Sequence, residues 1–464
     1  MVTRRSFLGA AGLAGGTLVL ERSARASAPT HHELLQADPE PVRPPGQPAR
    51  GERPALPPGQ VRRDYTPVVT PNGSTLDYRL VDGVKVFHLV AEEVPGVEMT
   101  PGMRLHLWGY NGQSPGPTIE VVEGDRVRIY VTNRLPETTT IHWHGVILPN
   151  GMDGVGGLTQ RPIEPGQTFR YEFTFSEPRT FMYHPHYDEM TQMAFGMMGM
   201  IVVHPRRPRE PRPDRDFAFV LNEWFVEPGA ARPDPLKMEF NMLTLNHRAF
   251  PSTEPLVAKL GDRVRFRFGN LSPLDHHPMH VHGHSFWVVA TDGGIIPPSA
   301  RWPETSVIVP VGTTRDVEFI ADPPGDWALH CHMTHHIMNQ MGHDFGNMVG
   351  ARFGGFDRRV RRLVPGYMTM GQNGMANMGE HAERMPTPDN TAPMRGAEGP
   401  HGYIDMGGMF TILKVREGIT SYEDPGWYAM PPGTQAQPVT EEELRRAGIE
   451  VPPTPRDAEG HGDP

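Results

Sequence analysis

Short runs of alternating hydrophobic and polar residues, each ended by Gly, Pro or Asn, dominate the chain between residues 63 and 354. Residues 124–133 read GDRVRIYVTN, in which the apolar side chains fall on one face of an extended strand. Residues 261–270 read GDRVRFRFGN and repeat the pattern. This alternation predicts an all-β protein built from short strands and tight turns.

The chain contains an internal repeat of about domain size. Residues 63–205 and residues 216–354 are expected to be two copies of one Greek-key β-sandwich. A stretch rich in proline and arginine separates the two copies. Besides the strand at residue 124, the repeated motifs are His142-Trp143-His144, which returns as His280-Val281-His282, and His184-Pro185-His186, which returns as His330-Cys331-His332.

The ends of the chain differ from the two copies. Residues 1–26 carry two adjacent arginines, an apolar run and a small-residue site, a pattern typical of a twin-arginine signal peptide. Such a signal predicts a periplasmic or secreted protein. Residues 27–62 are expected to be a Pro-rich linker, and residues 355–464 a partly ordered extension rich in Met, Gly and Pro.

Two regular elements are expected within the C-terminal extension. The segment from Met409 to Val415 has the composition of a strand. Thr440 followed by Glu443 is a capping box that predicts a short helix, and Gly448 is expected to end that helix.

Composition excludes several classes of protein. The 51 Gly and 51 Pro among 464 residues argue against helix bundles and coiled coils. A single Cys cannot form a disulfide within the chain, and the net charge of -10 argues against a nucleic-acid partner. The 23 histidines are unusual and direct attention to metal binding.

Four His-x-His motifs, two in each copy, predict metal binding. Alternate residues of a strand point to the same face, so the two imidazoles of a pair can bind one metal or two adjacent metals. One such pair is weak evidence, but four pairs in register between two copies are not expected by chance. Imidazoles without neighbouring carboxylates favour copper, zinc or iron over magnesium or calcium. The eight residues are His142, His144, His184, His186, His280, His282, His330 and His332.

A second candidate site is predicted in the second copy alone. Two His, one Cys and a weak Met ligand form the set of a blue-copper electron-transfer site. The second copy supplies this set as His277, Cys331, His336 and Met341, although core packing is a fair alternative for the methionine. At the matching positions of the first copy all four ligands are absent together, because these positions hold Thr139, Pro185, Met190 and Phe195.

These motifs resemble those of multicopper oxidases of the laccase type, which are built from cupredoxin domains. The resemblance covers residues 63–354 and is carried by HWHG, HPH, HPMHVHGH and HCHMTHHIMNQM. It implies two tandem cupredoxin domains followed by the Met-rich, partly ordered extension. It also implies four coppers per functional unit: a type 1 copper that takes electrons from a reductant, and a cluster of one type 2 and two type 3 coppers that reduces dioxygen to water.

Motif by motif, the resemblance implies a set of ligands for each copper. His277, Cys331, His336 and Met341 match the type 1 ligands, and His142 and His280 match the type 2 ligands. One type 3 copper is matched by His144, His184 and His332, the other by His186, His282 and His330. Cys331 lies between two type 3 ligands, so the resemblance also implies that electrons pass through its thiolate.

One acidic residue is expected near the cluster. Asp153, in the sequence NGMDG, resembles the family's acidic residue that supplies protons, although an ordinary turn aspartate explains it equally well. Many relatives also carry an acid immediately after the last type 1 histidine, where this chain has Ile337. That part of the proton path therefore departs from the family pattern.

The short separation between the copies leaves no room for a middle domain. The chain therefore resembles the small two-domain laccases, whose clusters lie between subunits, and the resemblance implies a homotrimer with three interface clusters.

The resulting hypothesis is an oxidase that couples one-electron oxidation of phenols, aromatic amines or Cu(I) to the four-electron reduction of dioxygen. Met-rich stretches at residues 182–200 and 368–409 offer thioethers that suit Cu(I), and a flexible apolar cover is the alternative explanation. Two other classes stay open. A copper nitrite reductase would carry its type 1 site in the first copy, and a non-catalytic periplasmic copper-binding protein would not need eight matched histidines.

Overall fold

The computed structural model describes residues 55–208, 210–339, 362, 389–392 and 396–451. The predicted signal peptide, most of the predicted linker and the predicted ligand Met341 lie outside the described residues. None of the helices within these described ranges is long and apolar enough to cross a membrane.

Strands are the main regular secondary structure of the described chain, as the sequence predicts. The strands before residue 209 are β1 (Val68–Val69), β2 (Arg79–Val81), β3 (Val84–Thr100), β4 (Met103–Tyr110), β5 (Ile119–Val122), β6 (Arg126–Asn133), β7 (His142–His144), β8 (Thr168–Thr174), β9 (Thr180–His184) and β10 (Gly199–His204). The strands after it are β11 (Arg215–Trp224), β12 (Met242–Leu245), β13 (Leu256–Lys259), β14 (Arg263–Asn270), β15 (His277–Val281), β16 (Phe286–Thr291), β17 (Gly294–Ile295), β18 (Pro303–Glu304), β19 (Ser306–Val309), β20 (Thr314–Ile320), β21 (Gly325–Cys331), β22 (Ala397–Gly399), β23 (Gly402–Ile404) and β24 (Phe410–Arg416). Two short helices are α1 (Glu189–Ala194) and α2 (Glu441–Arg446).

Two β-sandwiches contain the two copies of the repeat. In the first sandwich, a sheet of β2, β3, β4, β6 and β8 packs on a sheet of β5, β10, β9 and β7. In the second, a sheet built on β11, β14, β20 and β16 packs on a sheet ordered β13, β24, β21, β15 and β19. The alternating residues found in the sequence face these two cores, because Ile129 and Phe266 are both fully buried.

The pairing of strands repeats between the two sandwiches. In the first, β5 runs parallel to β10, β10 is antiparallel to β9, and β9 is antiparallel to β7. In the second, β13 runs parallel to β24, β24 is antiparallel to β21, and β21 is antiparallel to β15. Strand β24 therefore occupies in the second sandwich the place that β10 occupies in the first.

The strand expected at residues 409–415 is confirmed, but it lies inside the second sandwich. The predicted boundary at residue 354 separates β24 from the sheet to which it belongs, and so differs from the structure. The physical reason is that β13 and β21 both need a hydrogen-bonding neighbour, and β24 supplies it after a long insertion. This insertion, residues 340–409, separates the ligand-bearing end of β21 from its closing strand.

Methionines of the stretch 182–200 pack between the two sandwiches. Met182, Met198 and Met200 are buried against Ala218 and Val220 of β11. Burying a Met side chain contributes roughly 1.5–3 kcal/mol, so these residues stabilise the domain contact. The Cu(I)-binding interpretation does not fit these side chains, which have no access to solvent.

The chain after β24 packs against its own second sandwich. Tyr422 lies beneath the guanidinium of Arg215, Trp427 beneath the ammonium of Lys414, and Tyr428 beneath Arg416. The predicted helix follows as α2, and the Thr440 hydroxyl accepts a hydrogen bond from the Glu443 amide at 3.2 Å. The predicted helix and its N-cap at Thr440 are therefore confirmed.

Candidate copper centres

Three of the predicted type 1 ligands meet at one end of the second sandwich. His277 begins β15, Cys331 ends β21, and His336 lies in the short helical turn Thr334–Ile337. The Cys331 Sγ lies 3.7 Å from His277 Nδ1 and 3.5 Å from His336 Nδ1, and the two nitrogens are 3.2 Å apart. All three side chains are buried. Two imidazole nitrogens and a thiolate facing one point fit a copper ion.

Neighbouring polar groups orient the two imidazoles. Ser272 Oγ lies 2.7 Å from His277 Nε2, and an Asp275 carboxylate oxygen lies 3.5 Å from His336 Nε2. Glu223 in turn accepts hydrogen bonds from the amides of Leu274 and Asp275 at 2.8 and 2.9 Å. Such partners fix the ring orientation of metal-binding histidines. Sequence reasoning missed both acids, because Glu223 is about fifty positions from the loop that it holds.

Burial shifts the pKa values of two predicted type 1 ligands in opposite directions, and both shifts favour the uncharged side chain. Burial lowers the pKa of His277 to about 3, so its imidazole is neutral and free to bind a metal. Burial also raises the pKa of the Cys331 thiol to about 12. A bound metal ion offsets that penalty by stabilising the thiolate.

The matching position of the first sandwich is closed by a hydrogen bond. Thr139, which stands in place of His277, donates from its hydroxyl to Gln192 Oε1 at 2.6 Å. The Gln192 side-chain Nε2 donates to the Thr138 carbonyl at 2.8 Å, and the Gln192 side chain is fully buried. Met190, in place of His336, is 63% exposed and points away from the core. Among the described residues, the positions that match the predicted type 1 ligands hold neither a thiol nor an imidazole in the first sandwich.

The four histidines of the first copy form a cluster, here called the first quartet: His142, His144, His184 and His186. Strands β7 and β9 pair so that His142 lies opposite His184. The His142 ring centroid lies 5.7, 5.4 and 5.4 Å from those of His144, His184 and His186. His144 Nδ1 lies 3.2 Å from His184 Nε2. Three of the four, His142, His144 and His184, place ligand atoms at metal-binding distance from one another.

The second quartet, His280, His282, His330 and His332, repeats this arrangement. His280 lies opposite His330 in the register between β15 and β21. Its ring centroid lies 4.8, 5.6 and 5.5 Å from those of His282, His330 and His332. His282 Nε2 lies 3.1 Å from His330 Nε2. The predicted His-x-His motifs are thus brought together in each sandwich.

The two quartets remain separate within one chain. Among the described residues, no group of three metal-spaced ligands combines histidines from both sandwiches. Each quartet alone supplies four imidazoles, which is half of the set that the sequence motifs predict for a trinuclear cluster.

Burial favours the neutral imidazole at four of the quartet histidines. It lowers the pKa of His184 to about 3, and it also lowers the pKa values of His144, His282 and His330. The neutral imidazole is the metal-binding form, so these four side chains, two in each quartet, can bind a metal ion at neutral pH.

Two carboxylates flank the first quartet. His142 donates from Nδ1 to the Asp153 carbonyl at 2.7 Å, and the Asp153 carboxylate lies 3.5 Å from the same nitrogen. Glu189, at the start of α1, lies 3.5 Å from His184 Nδ1 and 3.7 Å from His186 Nε2. Sequence reasoning singled out Asp153 and missed Glu189. The available signal was its position only three residues after His186.

Comparison with known proteins agrees with this geometry. Two family models, both described as Multicopper oxidase, match residues 94–208 and 227–350, together just over half of the chain. Among curated proteins, Laccase-15 of Oryza sativa subsp. japonica is 32% identical over 241 residues, which cover 46% of this chain and 38% of that protein. Copper resistance protein A of Escherichia coli is 35% identical over 171 residues, which cover 36% of this chain and 28% of that protein. The chain thus spans less than two-fifths of the length of these two relatives.

Solved structures extend the likeness to both sandwiches. A Blue Copper Oxidase from Nitrosomonas europaea matches with a TM-score of 0.51 and 26% identity, covering 71% of this chain and 85% of that one. Multicopper Oxidase mgLAC matches with a TM-score of 0.53 and 27% identity, covering 76% and 91%. The sandwiches are therefore cupredoxin domains. The chain belongs to the multicopper oxidase family, for which copper is the implied metal.

Proposed function

We propose that the protein is an oxidase that couples one-electron oxidation of a small reductant to the four-electron reduction of dioxygen to water. The observation that carries this proposal is the position of Cys331. Its Sγ faces His277 and His336, while its two chain neighbours, His330 and His332, belong to the second quartet. One residue therefore connects a single-copper site to a histidine cluster covalently.

The donor sets assign each copper to named residues. His277, Cys331 and His336 would hold the type 1 copper, with Met341 as the proposed fourth ligand. The two quartets would supply the type 2 and type 3 ligands in the arrangement that the motifs imply. Bound there, the coppers would store electrons and deliver them to dioxygen, which gives four coppers per functional unit.

The chain itself supplies orientation and protons. Ser272 and Asp275 hold the rings of His277 and His336. Backbone carbonyl groups orient the quartet histidines; for example, His280 Nδ1 donates to the Thr305 carbonyl at 2.6 Å. Asp153 lies beside His142, where a carboxylate can deliver protons to reduced oxygen. Glu189 has the same placement beside His184.

A homotrimer is proposed as the functional assembly. Within one chain the two quartets do not form a joint metal-spaced group among the described residues. A second copy could present its second quartet to the first quartet of this chain, and three such contacts would close a ring. Export by the twin-arginine route, which carries folded proteins, is proposed with it.

Phenols and aromatic amines are the proposed reductants. Asp275 is partly exposed and lies 3.5 Å from His336 Nε2, so it can accept the proton that a phenol releases on oxidation. Leu274 beside it is 57% exposed and offers an apolar contact for a ring. Cu(I) is the second proposed reductant, but the buried methionines of β9 and β10 give it no support.

Copper content and dioxygen uptake with a phenolic reductant test the proposal, on wild type and on Cys331→Ser. We expect four coppers per chain in the assembly and a blue absorption band. We also expect dioxygen uptake by the wild type, which the substitution should abolish. Nitrite consumption without dioxygen uptake would replace the oxidase by a nitrite reductase. Bound copper without either activity would leave a copper-binding protein.

A further inference from the structure

The turn Pro310–Thr313 of the second sandwich lies against the first quartet. It joins β19 to β20, and a Cβ atom on Gly312 would lie only 3.8 Å from His144 Cε1. The Gly312 backbone is thus a direct neighbour of the His144 imidazole. The Nδ1 side of the same ring faces His184. The His144 imidazole is therefore held between its own sandwich and the other one.

The same turn is tied to the type 1 site. The Val311 amide donates to His276 Nδ1 at 3.1 Å, and His276 precedes the predicted copper ligand His277. The Gly312 amide donates to the carbonyl of Asn270 at 2.9 Å. The Asn270 side chain donates in turn to the Asp275 carbonyl at 2.9 Å. Three hydrogen bonds thus connect the turn at His144 with the loop that carries the type 1 residues.

The first sandwich contains an equivalent turn that keeps the hydrogen bond to the asparagine but lacks the other two contacts, those with a quartet histidine and with His276. There the Gly166 amide donates to the Asn133 carbonyl at 2.7 Å, as Gly312 does to Asn270. Pro165 stands in place of Val311 and has no N–H to donate. Nothing lies within 4 Å of a Cβ atom on Gly166. The contact with a quartet histidine and the bond to His276 are therefore special to the second sandwich.

We propose that the Pro310–Thr313 turn is a positioning element of the oxygen-reducing centre. It holds His144 in its copper-binding orientation and links that orientation, through His276, to the type 1 site of the same chain. This inference rests on the proposed copper function. It adds that the first quartet is oriented by its own chain, whichever subunit completes the cluster.

Gly312→Leu tests the positioning role, with Gly166→Leu as its matched control. Both glycines have left-handed backbone angles, φ +73° and φ +81°, so the conformational strain of the two substitutions is comparable. Only the side chain at 312 meets a quartet histidine. Titration of the apoprotein with Cu(II) against a chelator should show quartet binding weakened about 10–100-fold by Gly312→Leu and unchanged by Gly166→Leu. The blue type 1 band should persist in both variants.

A second variant tests the link through His276 without crowding the quartet. His276 is exposed, and His276→Thr introduces the residue that the first copy carries at Thr138, so folding should be retained. Quartet affinity should again fall while the type 1 band remains. Equal effects of the two leucine substitutions would overturn the positioning role, and unchanged quartet affinity in His276→Thr would overturn the link. Failure of wild type to bind copper at the quartets would instead overturn the proposed function itself.

Discussion

Phe410 pairs with His330 across strands β24 and β21, although eighty positions of sequence separate the two residues. The pairing places the closing strand of the second sandwich directly beside a quartet ligand. The neighbouring residue Cys331 also donates its amide hydrogen to the Met409 carbonyl at 3.1 Å. Strand β24 is therefore part of the sandwich that carries the candidate copper ligands.

Leu413→Ala tests the contribution of β24 to stability. Leu413 is fully buried in the core of the second sandwich, so truncation should lower the free energy of unfolding by about 2–5 kcal/mol. Denaturant unfolding followed by circular dichroism and by the blue band measures this loss. Val439→Ala, at an exposed position of the tail, is the control and should change little. Similar small effects of both substitutions would show that β24 is not a core strand.

Ser272→Ala should disturb the type 1 site specifically. Without the Ser272 hydroxyl, 2.7 Å from His277 Nε2, that buried nitrogen loses its partner, at a cost of about 1–3 kcal/mol. The blue band should shift and the type 1 copper should be lost more readily to a chelator. Ser306→Ala removes a hydroxyl 2.9 Å from His280 Nδ1 but leaves the Thr305 carbonyl in place, so its blue band should not move. Identical spectra of wild type and Ser272→Ala would contradict this role.

Asp275→Asn should slow the oxidation of phenols more than the oxidation of other electron donors. The carboxylate near His336 is expected to accept the phenolic proton, so kcat/KM for phenols should fall on the order of 10²-fold. A reductant that releases no proton should be oxidised at nearly the wild-type rate. An equal loss with both reductants would show that Asp275 acts only by orienting His336 and has no role toward the substrate.

The apoprotein should lose stability as the pH falls. Burial lowers the pKa values of His184 and His277 from 6.5 to about 3, so between these values the unfolded chain binds more protons than the folded chain. Each of these two histidines should therefore contribute a decrease in the free energy of unfolding of about 1.4 kcal/mol per pH unit between pH 6.5 and pH 3. Burial raises the pKa of Glu120 to about 7 and that of Glu223 to about 8, so these two groups contribute with the opposite sign above about pH 4.5. Urea titrations across this range measure the slope. His277→Phe should reduce the slope, and an unchanged slope would show that His277 is not protonated on unfolding.

Much of the chemistry could be predicted from the sequence because ligand spacing is local. The His-x-His pairs lie on strands, where alternate side chains share a face, and Cys331 lies between two of them by covalent connection alone. The repeat also showed that Thr139 and Pro185 replace ligands in the first copy. These inferences need no knowledge of how distant strands pair.

Only the tertiary structure decided the contacts that join distant segments. The place of β24 depends on hydrogen bonding to β13 and β21, and an insertion between strands hides that relation from any reading of the sequence. The interior position of Met182 and Met200 depends on which faces of two sandwiches meet. Three residues near the candidate copper centres lie in segments without a histidine motif: Glu223, Glu189 and Gly312. The sequence does not single them out, because burial and proximity to a histidine arise only when the chain is folded.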